Sequence, residues 1–167
     1  HLGLPSPYGR YITCSFADYI KMVASSEFMP CGPEQALRAN VYAQISYVLN
    51  RGFTEWYRAQ GYDFDITDST RYDQSFVPGR DIFENISTIV DDMIGTYLTR
   101  GDAVEPLFTQ YCNGTTVTCP GGLSQWGTVP LAERGPSAEQ ILQSFYGSDT
   151  NLLTGAPPSP THAGSSP

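Results

Sequence analysis

Residues 33–52, PEQALRANVYAQISYVLNRG, constrain the fold of this chain more than any other run. Leu37, Val41, Ile45 and Val48 recur at intervals of three and four, which places them on one face of an α-helix. Pro33 is placed to be the first helical residue, where its missing N–H costs nothing, and Gly52 is the expected stop. Upstream, Phe16, Tyr19, Ile20 and Val23 give the same period, so residues near 16–26 read as a helix that Met29-Pro30 breaks.

The rest of the chain mixes helices with strands. Ile82, Phe83, Ile86, Ile89, Val90, Met93, Ile94 and Tyr97 mark a third helix ending near Gly101. Residues 107–112 and 115–118 read as two strands around the hairpin signal Asn113-Gly114. Ser137-Ala-Glu-Gln140 is a capping box that opens a last helix through Ile141, Leu142, Phe145 and Tyr146, with Gly147 as its stop. Without a βαβ rhythm, the class is α+β, with antiparallel strands and about four helices. In residues 61–80, GYDFDITDSTRYDQSFVPGR, the periodicity fails. That stretch reads as a long loop with a short extended piece near 64–66, and such loops are usually functional or mobile.

The chain has 167 residues, room for one domain. Residues 154–167, TGAPPSPTHAGSSP, lack the apolar groups that offset ordering entropy. Residues 1–153 are therefore expected to be the domain and 154–167 a linker or tail. A first residue of His1 rather than Met fits a processed or truncated product. No run approaches the roughly 18 apolar residues of a membrane span. Net charge is −8, and the 9 Lys and Arg residues form no patch, which disfavours nucleic-acid binding.

Eleven tyrosines, many Gly and Pro, and few charges suit an extracellular domain. Cys14, Cys31, Cys112 and Cys119 form two local pairs. Their spacings miss the usual zinc knuckles, so two disulfides and an oxidising compartment fit better than a four-cysteine metal site. On the hairpin reading, Cys112 and Cys119 lie on opposite arms. The sequons at Asn85 and Asn113 occur too easily by chance to decide anything.

The only histidines are His1 and His162, the second inside the tail. Any chemistry therefore falls to a carboxylate. Glu27 stands out because it lies at the junction of two helices that hold its backbone still.

Several blocks carry a family resemblance. ADYIKMVASSEFMP followed by PEQALRANVYAQISYVL resembles the heart of the SpoIID family. Residues 65–70 (DITDST), 106–114 (PLFTQYCNG), and 122–127 (GLSQWG) followed by SAEQILQSFYG resemble three further family blocks in the same order. Together they span about residues 8–149. The resemblance implies work on peptidoglycan outside the cytoplasm. The family includes a lytic transglycosylase of sporulation and LytB-type amidase enhancers, and its catalytic Glu maps onto Glu27.

Such an enzyme needs one carboxylate rather than the usual two. Its acid must be protonated near neutral pH, which calls for apolar walls, and Phe28, Met29 and nearby tyrosines are candidates. Asp68, Ser124, Gln125 and Trp126 are candidate sugar contacts. Trp126 suits stacking or a structural role equally. Asp65 and Asp68 also suit hydrogen bonds to loop amides, the commoner use. Tyr42 and Tyr47 read as core.

The chain departs from the family pattern at three places. Thr109 and Cys119 stand where the family has histidines, in a region able to hold zinc. Ile45 stands where it has an Arg, beside Gln44 in place of Ala. The expectation is therefore no metal and no cofactor, with a Cys112–Cys119 disulfide as the substitute staple. The expected partners are glycan strands and another cell-wall hydrolase. A glycan-binding or amidase-enhancing module, or a disulfide-stapled structural domain, is the alternative to an enzyme.

Overall fold

Helix α2 (Glu34–Phe53) runs through the middle of the fold and is buried on more than one face. The computed structural model describes residues 1–27 and 31–160. The Met29-Pro30 break, the Phe28 and Met29 walls and His162 lie outside those residues. Helix α1 (Phe16–Glu27) matches the expected helix. Pro33 sits at the cap rather than inside α2, and the helix passes Gly52 to end at Phe53. The cap is Thr54, whose N–H bonds the Asn50 carbonyl.

The periodic stripe faces one core. Leu37, Val41 and Ile45 of α2 meet Ile20 and Ala24 of α1. They also meet Ile86, Ile89, Val90 and Met93 of α3 (Glu84–Met93). Each such aliphatic side chain, fully buried, contributes about 1.5–3 kcal/mol. The opposite face of α2 is lined by small residues. Ala39 and Ala43 let Leu98, Leu123, Ile141 and Leu142 approach closely in a second core. Ile45, the expected departure from an Arg, is wholly buried, so an apolar side chain is what its site accepts.

Three expectations need correction. The third helix stops at Met93 rather than near Gly101. Gly95, at φ +93°, turns the chain, and the β-branched and aromatic run TYLTR forms strand β1 (Thr96–Arg100). Strand β1 pairs antiparallel with β4 (Thr150–Thr154), whose last residue is the first of the expected tail.

The expected hairpin at Asn113-Gly114 is a loop. Asn113 Oδ1 accepts from the N–H groups of Thr115 and Val117, which replaces a strand ladder with an Asx-type turn. The partner of β2 (Tyr111–Cys112) is instead β3 (Leu123–Ser124), in parallel.

The third correction concerns the thiols. Cys112 and Cys119 are bonded, but Cys14 and Cys31 are free and exposed. They flank opposite ends of α1, about 18 Å long at 1.5 Å per residue. A disulfide needs Cα atoms within about 7 Å.

Helix α4 (Thr128–Glu133) has no counterpart in the sequence reading. Helix α5 (Ala138–Tyr146) opens with the expected capping box, in which Ser137 and Gln140 cap each other. The whole is a small single-domain α+β fold. Among the described residues, no helix is long and apolar enough to cross a membrane.

Candidate functional site

Glu27 is the last residue of α1. Two distant segments reach it. The Ser75 N–H donates to Oε1 at 2.5 Å, and Gln125 Nε2 donates to Oε2 at 3.2 Å. Burial pushes the carboxyl up to about 7 from an ordinary 4.5, against the opposing donors Ser75, Tyr111 and Gln125. The carbonyl end of the α1 dipole works in the same direction as burial. A carboxyl near 7 populates both acid and base forms at neutral pH.

The segment carrying Ser75 is pinned from below. Arg51, near the end of α2, pairs with Asp73 at 2.9 Å, and the Asp73 side chain is fully buried. Asp73 also accepts from the hydroxyls of Tyr47, Tyr57 and Thr67 and from the Thr67 N–H. The Arg51 guanidinium lies over the rings of Trp56 and Phe108, at 4.7 and 4.9 Å. One residue on, Gln74 is buried, donates to the Gln44 carbonyl and accepts from the Tyr19 hydroxyl. The next residue is Ser75. An ion pair thus fixes the register that aims a backbone N–H at Glu27.

The other arm is set by β2 and β3. The Gln125 N–H bonds the Cys112 carbonyl, and the Gln125 carbonyl accepts from Thr128 Oγ1. Asn40 of α2 donates to the same Thr128 hydroxyl. Gly114 lies so close to Ser124 that a Cβ there would sit 1.8 Å from Ser124 Oγ. Only glycine fits at that contact. The Cys112–Cys119 disulfide closes the loop that carries this arm.

The expected sugar contacts do not gather in one place. Gln125 is buried against Glu27. Ser124 turns toward the Gly127 N–H, and Trp126 is exposed. Asp68 lies elsewhere. Its carboxylate accepts from the Gly3 N–H, and its own N–H bonds the His1 carbonyl, which holds the N-terminal segment against the long loop. Asp65 pairs with Arg58. Thr109, where the resemblance leads one to expect a histidine, is buried and donates to the Ala43 carbonyl at 2.6 Å. Among the described residues, no three His, Cys, Asp or Glu side chains converge as metal ligands.

A cavity of about 350 Å³ lies beside this site. Tyr11, Phe16, Tyr19, Phe64, Asp68 and Phe76 are among its walls, and Glu27 is not. The Tyr19 and Phe76 rings, stacked at 5.2 Å, both line the cavity, and the Tyr19 hydroxyl donates to Gln74.

Sequence reasoning missed Asp73, Ser75 and Tyr111. Asp73 is one of several aspartates in a loop without period, and Ser75 acts through its backbone. Neither leaves a signal in residue type. No protein-family model, curated protein or solved structure matches the chain.

Proposed function

We propose that the chain remodels peptidoglycan outside the cytoplasm as a lytic transglycosylase, with Glu27 as its single acid and base. The observation that carries this reading is the Glu27 carboxyl, raised by burial to about 7 and held at both oxygens by groups from two other segments. In the reaction, the Glu27 acid gives its proton to the glycosidic oxygen as the C1–O bond breaks. The carboxylate then takes the proton of the muramyl 6-hydroxyl, whose oxygen bonds to C1. A 1,6-anhydro ring closes, Glu27 is an acid again, and no water is consumed. One carboxyl that titrates near 7 suits both halves of this cycle.

The resemblance of residues 8–149 to the SpoIID family supports the same reading. In this account helices and strands frame a central groove at Glu27, where Ser124 and Trp126 meet the glycan. The Cys112–Cys119 bond fits an oxidising compartment. The partners are glycan strands and a second cell-wall hydrolase.

One observation favours a non-catalytic glycan-binding or amidase-enhancing module instead. Both Glu27 oxygens are already engaged within the chain, and Glu27 does not line the neighbouring cavity. Incubation with purified glycan strands, followed by mass spectrometry, separates the two. Release of anhydro-ended fragments supports the enzyme. Glycan pull-down without release supports the binding module.

A further inference from the structure

The Tyr111 hydroxyl is buried and completes no hydrogen bond of good geometry among the described residues, although the Glu27 carboxyl and the Gln74 side chain are both close enough to act on it. An unsatisfied buried hydroxyl costs about 1–3 kcal/mol, so one that persists calls for a physical reason. Its position suggests one. Tyr111 pairs in register with Leu123, and Gln125 stands two residues on, in the turn after β3, its N–H bonded to the carbonyl of Cys112, the residue that follows Tyr111. Gln125 is the residue that reaches Glu27. The Tyr47 ring meets the Tyr111 ring edge-on at 6.0 Å and limits its movement. The disulfide at Cys112 fixes the next residue.

We propose that Tyr111 is a positioning residue for Glu27, whose hydroxyl follows the proton on that carboxyl by donating to the charged form and accepting from the neutral one. A phenol suits this role because it carries one donor and free lone pairs, and turns about its C–O bond. The assignment rests on the reading of Glu27 as the group that cycles between acid and base.

The surroundings leave Glu27 as the group that changes charge. Tyr19 of α1 and Tyr47 of α2 are the other titratable neighbours of Tyr111, and burial pushes all three phenols upward, so they stay neutral. Asp73, which acts on Tyr19 and Tyr47, is tied to Arg51. Gln74 and Gln125 carry no charge. The Tyr111 hydroxyl opposes the upward push on Glu27.

The test is a pH titration of the full chain by NMR, with ¹³C at the glutamate carboxyl and at the tyrosine Cζ. In the wild type, the Tyr111 Cζ signal should move with the same midpoint as the Glu27 carboxyl. In Glu27→Gln it should be flat. In Tyr111→Phe the Glu27 midpoint should rise by about half a pH unit or more, whereas Tyr146→Phe, which removes a hydroxyl bonded to the Gln110 carbonyl, should leave it in place. A Tyr111 signal indifferent to Glu27, or a midpoint unmoved in Tyr111→Phe, overturns the proposal. The wild-type and Glu27→Gln arms suffice if Tyr111→Phe does not fold. All of these readouts are independent of turnover, so loss of the enzymatic reading leaves them standing, and the converse also holds.

Discussion

Gln125 donates its side-chain amide to Glu27 Oε2 at 3.2 Å, joining the turn after β3 to the end of α1. With the Ser75 N–H on the other oxygen, this leaves a buried carboxyl whose donors favour the charged form while its burial favours the neutral one. Burial wins, and the consequences can be measured.

The first concerns stability against pH. The folded carboxyl titrates near 7, above its ordinary 4.5, so the folded state holds the proton more tightly than the unfolded chain. This stabilisation is complete below pH 4.5, falls as pH rises through the window, and is lost above pH 7. Its size is on the order of 3 kcal/mol. Denaturant unfolding should therefore find Glu27→Gln close to the wild type at pH 4 and more stable at pH 8, by about that amount. Equal stabilities at both pH values would contradict the raised carboxyl.

A second prediction isolates Gln125. Gln125→Leu keeps the volume but removes a donor that favours the charged carboxylate. The Glu27 midpoint should rise, and the variant should lose about 1 kcal/mol at neutral pH. Carboxyl ¹³C titration reads the midpoint and denaturant unfolding reads the stability.

A third concerns the pair beneath Ser75. Breaking a buried ion pair by removing one partner costs about 3–5 kcal/mol, because the other charge stays buried and uncompensated. Arg51→Met leaves Asp73 in that position, with a side chain that has no exposure. The variant should lose stability of that order in thermal or denaturant unfolding. A loss under 1 kcal/mol would mean that the pair does not hold the loop.

A fourth concerns the thiols. Alkylation of the denatured, unreduced protein followed by intact mass should find Cys14 and Cys31 labelled, and Cys112 and Cys119 labelled only after reduction. Closing so short a loop contributes about 2 kcal/mol on the chain-entropy account. Paired Cys112→Ser and Cys119→Ser should lower stability by about that much.

The sequence was most legible where period and chemistry agree. The stripe on α2, the helix at Phe16 and the Ser137–Gln140 capping box follow from side-chain spacing alone. Residues 113–118 did not, because Asn113 serves its own loop amides, and a side chain that competes with the backbone leaves no mark in a strand pattern. Tyr97 extended the helical count of α3, although the turn at Gly95 had already ended it. At the site, Glu27 and Gln125 were both singled out, but their contact spans ninety-eight positions and no local rule encodes it. Asp68 looked equally suitable and instead holds the N-terminal segment. The features that aim Ser75, a buried ion pair and a main-chain N–H, depend on the tertiary fold.

The most direct test of Glu27 as acid and base is digestion of purified glycan strands in H₂¹⁸O, with the products weighed by mass spectrometry. The wild type should release fragments ending in 1,6-anhydro rings that carry no ¹⁸O, since the muramyl 6-hydroxyl attacks in place of water. Glu27→Gln should release none. Fragments that carry ¹⁸O, or anhydro ends released equally by Glu27→Gln, would contradict the account.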